Sequence, residues 1–167
     1  MFARGALTDL LAITDNTGMP QFEVQVDKTP AVAEHAFSKK MSVRDTAGAE
    51  VAAISRLGLL EWHEIVAGGQ RTIVRPRGFL RQYFEIDSPA GRLEARGKDL
   101  GSVTRGGVPA AQVTQLGKLS EWRFAIEVTD GEDSVLMLAV VLVIEAIRTI
   151  WDERPSASSG FGPGFPS

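Results

Sequence analysis

The stretch DSVLMLAVVLVIEAIRTIW, from Asp133 to Trp151, decides the fold of this chain. Asp130, Glu132 and Asp133 place negative charge where the first turn of a helix leaves N–H groups unpaired, and either Asp133 or Ser134 fits the N-cap position. Ten consecutive apolar residues follow Ser134, so the predicted helix has no polar stripe. A helix that is apolar on every side lies either in a protein core or in a membrane.

The charges that follow the apolar run favour the core. A spanning helix needs about 20 predominantly apolar residues, whereas Glu145 interrupts this run and Arg148 follows one turn later. Each such charge costs roughly 2.5 to 3.5 kcal/mol at the centre of a bilayer, against roughly 0.3 to 0.6 kcal/mol gained per large aliphatic residue. The sequence therefore predicts a buried helix, with a membrane tail anchor as the alternative.

Composition indicates one soluble domain with a real core. The chain has 167 residues, of which 44% are apolar and 23% charged, and its net charge of −3 argues against nucleic acid as a partner. It contains no cysteine, which excludes disulfides and thiolate metal sites. The first residues lack the apolar core of a signal peptide, so we expect a cytoplasmic protein that does not span the membrane.

Before the helix, the chain reads as short alternating strands separated by turn residues. Turn signals recur every 8 to 12 residues or so, which is typical of a barrel or sandwich and not of βαβ units. A faint repeat, Ile13-x-Asp15-x-x-Gly18 and Val43-x-Asp45-x-x-Gly48, is interpreted as turn chemistry and not as a binding motif. Eleven strands are predicted, at 10–14, 22–26, 36–44, 51–55, 61–66, 71–74, 83–86, 92–95, 101–105, 111–115 and 121–129.

The lengths of these elements suggest how the helix is covered. A helix of this length is about 28 Å long and strands of seven to eight residues are about 25 Å long. A barrel of eleven or twelve strands has room for a helix along its axis. We therefore predict a mainly β fold: a closed antiparallel barrel of about 12 strands around a central hydrophobic C-terminal helix. The barrel domain spans 1–153, and the Pro-, Gly- and Ser-rich tail at 154–167 is expected to be disordered.

Several segments of the sequence resemble those of a known family. The ending DGED followed by LMLAVVLVIEAIR, the preceding strand EWRFAIEV and the hairpins MSVRDTAGAEVAAISR and FEIDSPAGRLEARG resemble the LURP-one-related family over roughly residues 8 to 152. This resemblance implies the fold of tubby C-terminal domains and phospholipid scramblases, a twelve-stranded barrel around a hydrophobic helix. The twelfth strand is then expected at 31–35 or 57–60. Tubby domains bind phosphoinositide head groups through surface basic residues, so the resemblance also implies phospholipid recognition. The chain has no compact lipid-binding motif that could be matched residue by residue. The absence of cysteine disfavours scrambling activity.

Basic residues in the strands supply the candidate site. Guanidinium groups suit phosphate oxygens, and the candidates for a lipid head group are Arg71, Arg75, Arg77 and Arg81, with a secondary basic cluster at Lys39, Lys40 and Arg44. In this interpretation Arg71 and Arg75 share one side of a strand, and Pro76 and Gly78 place Arg77 on the following turn. The alternative is that these charges are the solvated outer faces of strands.

Catalytic constellations are nearly absent from the sequence. The histidines are His35 and His63, and alternation places His63 on the same face as Glu61 and Ile65. No catalytic residue, metal site or cofactor is predicted, because nothing completes a ligand or nucleophile set around either histidine. The sequence thus predicts a non-catalytic binding module for phospholipid head groups, peripheral at the membrane. A protein-interaction scaffold that uses the outer strands or the tail, and a small enzyme with its site at the barrel mouth near His63, are the alternatives.

Overall fold

Twelve strands and one helix make up the described part of the chain. The computed structural model describes residues 2–4, 10–27, 40–57, 62–78, 83–96, 101–115 and 124–153. The elements are β1 (Phe2–Arg4), β2 (Leu10–Thr14), β3 (Pro20–Asp27), β4 (Lys40–Asp45), β5 (Glu50–Leu57), β6 (Trp62–Ala67), β7 (Gln70–Arg77), β8 (Tyr83–Ser88), β9 (Gly91–Arg96), β10 (Ser102–Arg105), β11 (Val108–Gln115), β12 (Phe124–Val128) and α1 (Ser134–Glu153).

The strands form one antiparallel sheet in which each strand pairs with its neighbours in sequence, from β1 to β12. This order confirms the mainly β class, the eleven predicted strands, which correspond to β2 to β12, and the single C-terminal helix. The strand that the eleven predictions omit is β1, at Phe2–Arg4, and position 57 belongs to β5. Positions 31–35, 58–60 and the tail at 154–167 lie outside the described residues.

Five tight turns lie at one end of this meander, between each even-numbered strand and the next. In two of them an aspartate organises the turn. The Asp15 carboxylate accepts hydrogen bonds from the Thr17 and Met19 amides at 2.8 and 3.0 Å, and the Asp45 carboxylate accepts them from the Ala47 and Ala49 amides at 3.0 and 2.9 Å. The predicted turn role of the Asp-x-x-Gly repeat is thereby confirmed.

The turn between β6 and β7 has a different chemistry. Gly68 and Gly69 adopt φ of +57° and +73°, the two positive values that a two-residue hairpin turn with the right-handed strand twist requires. Because β12 runs in the same direction as the other even-numbered strands, it ends at this turn end of the sheet, and α1 begins there.

The helix is buried on all sides over most of its length. The Asp133 carboxylate accepts a hydrogen bond from the Leu136 amide at 3.1 Å, which identifies Asp133 as the N-cap. Every residue from 136 to 145 is buried, and so is Ile147. The helix packs against β5, β6 and β12. The cover of the helix therefore extends beyond the apolar run, to Glu145 and Ile147.

Strand residues alternate between a buried inner face and an outer face, as a half-buried sheet requires. The inner face supplies apolar side chains to the same core as the helix, among them Val24, Val43, Ile54, Ile65, Val74, Phe84, Ile86, Leu93 and Val103. Among the described residues, no helix combines the length and the hydropathy needed to cross a membrane.

Introducing a charge into the middle of α1 tests this packing. Val140 is fully buried, so Val140→Asp is expected to prevent folding of the domain, because an unpaired charge would be stranded in the core. Circular dichroism and urea titration of the purified chain measure the outcome. Ser134→Asp is the matched control, because Ser134 is exposed in the first helical turn, where a negative charge is tolerated. A folded Val140→Asp protein with native stability would contradict the buried position of the helix.

Candidate functional site

The outer face of β6 to β9 carries the densest array of charges in the described residues. It holds the arginines at positions 71, 75, 77, 92 and 96 and the carboxylates at positions 64, 85, 87 and 94, because alternate residues of each strand point outward. Five guanidinium groups thus face four carboxylates. We call this surface the charged face.

Two of the predicted arginines form ion pairs with carboxylates of neighbouring strands. Arg71 donates from Nε to Glu64 at 2.8 Å, and its Nη2 lies 2.8 Å from the same carboxylate oxygen. Arg77 donates from Nε to Glu85 at 3.1 Å. The arginine side chains are 62% and 46% exposed, and ion pairs this exposed contribute only about 0 to 1 kcal/mol each. They are therefore easily exchanged for another anion.

Arg75 is the most enclosed of these arginines. It forms an ion pair with Asp87, and its guanidinium lies 4.7 Å from the centroid of the Trp62 ring. The hydrogen bond from Arg75, together with the charges of Arg75 and Arg92, holds the pKa of the Asp87 carboxyl below its ordinary range. Arg75 thus packs on Trp62 and neutralises the charge of Asp87.

Arg77 lies in the strand and not on the following turn, contrary to the prediction. It is the last residue of β7 and sits opposite Tyr83 of β8. The strand continues through Pro76, which pairs with Phe84 of β8 and lies beyond the last described pair of β6 and β7, His63 and Val74. Arg81 lies outside the described residues.

The secondary basic cluster is separate from the charged face. Lys40 and Arg44 share the outer face of β4, which β5 and β6 separate from β7, and Lys39 lies outside the described residues. Arg44 is opposite Glu23 of β3 and Glu50 of β5. It donates to the Gly48 carbonyl at 3.3 Å. The two acidic neighbours make this cluster a poor site for an anion.

One row of the charged face was not predicted. Arg77, Tyr83 and Arg96 are directly opposite one another on β7, β8 and β9. Tyr83 is 40% exposed, and both arginines are exposed. The sequence holds no signal that singles out Arg96, because the row exists only through the register of three strands.

His63 lies on the inner face of β6 and is 4% exposed. It shares that face with Ile65, as predicted, and Glu61 lies outside the described residues. The register places His63 directly opposite Arg56 of β5, and Glu145 of α1 is 1% exposed. In the described part of the chain, no group of three or more acidic or histidine side chains could hold a metal ion.

A second polar contact lies at the turn end of the sheet, where the helix begins. Arg105 donates from Nε and Nη2 to the two carboxylate oxygens of Glu132 at 2.9 and 3.1 Å, and from Nη1 to the Ala90 carbonyl at 2.7 Å. One side chain thus joins β10, the turn between β8 and β9, and the segment that leads into α1. The hydrogen bonds from Arg105 hold the pKa of Glu132 below its ordinary range.

Comparisons with known proteins give one weak structural likeness. No family model matches the chain, and no curated protein matches it. The fold is similar to the X-ray structure of a protein from Arabidopsis thaliana, with a TM-score of 0.48 and 14% identity, covering 87% of this chain and 89% of that one. A likeness of this size carries no argument about fold or function.

Removing the Arg105 contact should destabilise the protein in a pH-dependent way. Arg105→Ala is expected to lower the free energy of unfolding at pH 7 by about 1–2 kcal/mol, because the bonds to Glu132 are charge-assisted but partly exposed. Since the folded pKa of Glu132 is lowered, the stabilisation is complete above the ordinary glutamate pKa of about 4.3 and is lost as the pH falls through the lowered value. The difference between wild type and variant should therefore shrink below about pH 4.

Urea denaturation at a series of pH values measures this difference. Arg92→Ala is the control, because Arg92 is 58% exposed and its contact with Asp87 is 3.4 Å long, so little change is expected. Equal losses in the two variants at pH 7 would contradict a special role for Arg105.

Proposed function

We propose that the chain is a non-catalytic binding module that recognises anionic phospholipid head groups, at the cytoplasmic surface of a membrane, through its charged face. The observation that supports this most directly is the column of Arg71, Arg75 and Arg77 on the outer side of one strand. Guanidinium groups bind phosphate oxygens in a planar, multiply hydrogen-bonded geometry that ammonium groups do not provide.

The ion pairs set how such binding would work. The five arginines of the charged face are offset by four carboxylates, so long-range attraction to a membrane is weak and binding depends on short-range exchange of partners. A phosphate can displace Glu64 from Arg71 or Glu85 from Arg77, because exposed ion pairs contribute little. Arg75, held between Trp62 and Asp87, orients the array and does not itself exchange.

We further propose that the meander closes into a barrel by pairing β1 with β12, and that the chain is a LURP-one-related protein of the tubby-like and scramblase-like fold. A closed barrel would explain how α1 is buried on all sides, because a sheet open at one edge leaves one side of a helix uncovered. Closure also removes the two sheet edges, which otherwise present unpaired N–H and C=O groups.

A protein-interaction scaffold is the second candidate, and one observation favours it. The charged face combines Trp62, Tyr83 and several arginines with nearly balanced charge. Tryptophan, tyrosine and arginine are the residues that dominate binding energy at protein interfaces. A nearly balanced surface of this kind also suits a soluble protein partner.

Liposome co-sedimentation tests the lipid proposal. Wild type is expected to sediment with vesicles that contain anionic lipid at low salt and to be released as salt screens the charges. The variant in which Arg71, Arg75, Arg77 and Arg81 are replaced by Ala should remain in the supernatant. The Lys40→Ala, Arg44→Ala double variant is the control and should still sediment. Failure of wild type to sediment at low salt would leave the protein-partner candidate.

Hydrogen exchange tests closure of the barrel. Alternate amides of β12 bond to β11, and if β1 pairs on the other side, the remaining amides of 124–128 are also protected. We expect exchange of these amides to be as slow as in the central strand β6. Fast exchange at alternate positions of β12 would show an open sheet edge.

A further inference from the structure

The row formed by Arg77, Tyr83 and Arg96 differs in charge from the rest of the charged face. Elsewhere on that face each arginine has a carboxylate partner: Asp87 contacts Arg75 and Arg92, and Glu64 contacts Arg71. Arg77 uses only its Nε on Glu85. Within the described residues, the Nη groups of Arg77 and the whole guanidinium of Arg96 have no hydrogen-bond or ion-pair partner. Among the described residues, the row therefore carries two cations whose donors are not all used.

The register brings these donors around one point. Directly opposite residues in an antiparallel sheet have Cα atoms about 5 Å apart, so Arg77 and Arg96 stand about 10 Å apart with Tyr83 between them. All three side chains are on the outer face, because Phe84 and Ala95 beside them are buried on the inner face. The two guanidinium groups can close from opposite sides on a group held above the tyrosine, whose hydroxyl can donate a third hydrogen bond.

The neighbouring row confines an anion to this position. Glu85 and Glu94 lie directly opposite one another, one row further into the sheet. Two like charges in register repel any anion that moves toward them. An anionic ligand is therefore held at the end of the sheet that is distant from the start of α1, where β7 and β9 end and β8 begins.

We propose that Arg77, Tyr83 and Arg96 form a binding site for a terminal phosphate, that is, a phosphomonoester group. Such a group carries close to two negative charges and three terminal oxygens, which match two guanidinium groups and one hydroxyl. A phosphodiester offers one charge and two free oxygens and leaves part of this donor set unused. This site deepens the proposed function, on which it rests for the source of the phosphate.

Vesicles of matched charge test the preference for a monoester. Phosphatidylcholine vesicles that contain phosphatidic acid, which has a terminal phosphate, are compared with vesicles of equal surface charge that contain phosphatidylserine, which has a diester. The purified full chain is expected to bind the phosphatidic acid vesicles more tightly. Arg96→Ala should weaken that binding about tenfold, the loss expected from one charge-assisted contact, and should weaken phosphatidylserine binding no more than Arg92→Ala does.

Two variants separate the site from general charge. Arg92→Ala is the matched control, because Arg92 is on the same face of the same strand and its loss removes the same charge, so the preference for phosphatidic acid should persist. Tyr83→Phe removes only the hydroxyl and should weaken phosphatidic acid binding by a smaller factor. If Arg92→Ala and Arg96→Ala weaken binding to phosphatidic acid vesicles equally, while wild type binds anionic vesicles, the phosphomonoester site is overturned. The proposed function then still stands.

Inorganic phosphate distinguishes the source of the ligand. In a titration followed by NMR, the side-chain signals of Arg77 and Arg96 are expected to shift, and the response should be lost in Arg96→Ala. If wild type gives this response but binds neither kind of vesicle, the site takes a soluble phosphomonoester and the lipid proposal fails. If the Arg77 and Arg96 signals of wild type do not shift with phosphate and wild type binds neither kind of vesicle, the site itself is wrong.

Discussion

A helix with no polar side constrains everything else in this structure. Ten consecutive residues of α1, from 136 to 145, are buried, and a flat layer of protein covers only one side of a helix. The strands meet this demand by alternation: one side of each turns apolar residues toward the core that the helix shares. The outer sides remain free to carry charge, and on the charged face most of it lies in cross-strand ion pairs.

The charges of the outer face are therefore governed by register and not by local sequence. Arg71, Arg75 and Arg77 read as a basic patch because they are close in the chain, but each contacts a carboxylate of a neighbouring strand. Surface pairs of this kind suppress the net field of a patch without removing its hydrogen-bonding capacity. What distinguishes the row at Arg96 is that its two cations are in register with a tyrosine and with no acid.

The sequence predicted those elements whose structure is determined by a local pattern of residues. Three features were predicted, because each depends on residues within a few positions of one another. They are the apolar run of α1, the alternation of β2 to β12, and the Asp-x-x-Gly turns at Asp15 and Asp45. The strand β1 was missed because three residues are too few to show alternation. The burial of Glu145 was not predicted, because acidic side chains are rarely fully buried.

The candidate site was less predictable for the same reason. Arg71, Arg75 and Arg77 were identified by residue type, yet the position of Arg77 in the strand depends on its pairing with Tyr83 of β8. The packing of Arg75 on Trp62 and the row of Arg77, Tyr83 and Arg96 depend on the pairing of strands. One sequence without its register does not contain that information.

The order of the elements along the chain has a consequence for biosynthesis. Each strand pairs with the one before it, so hairpins can form as the nascent chain leaves the ribosome, but α1 follows all twelve strands. At about 5 to 20 residues per second, the roughly one hundred residues between the first hairpin and the helix take on the order of 5 to 20 seconds to make. During that interval the inner faces of the strands have no helix to cover them, and we expect the nascent chain to need chaperones that shield apolar surface.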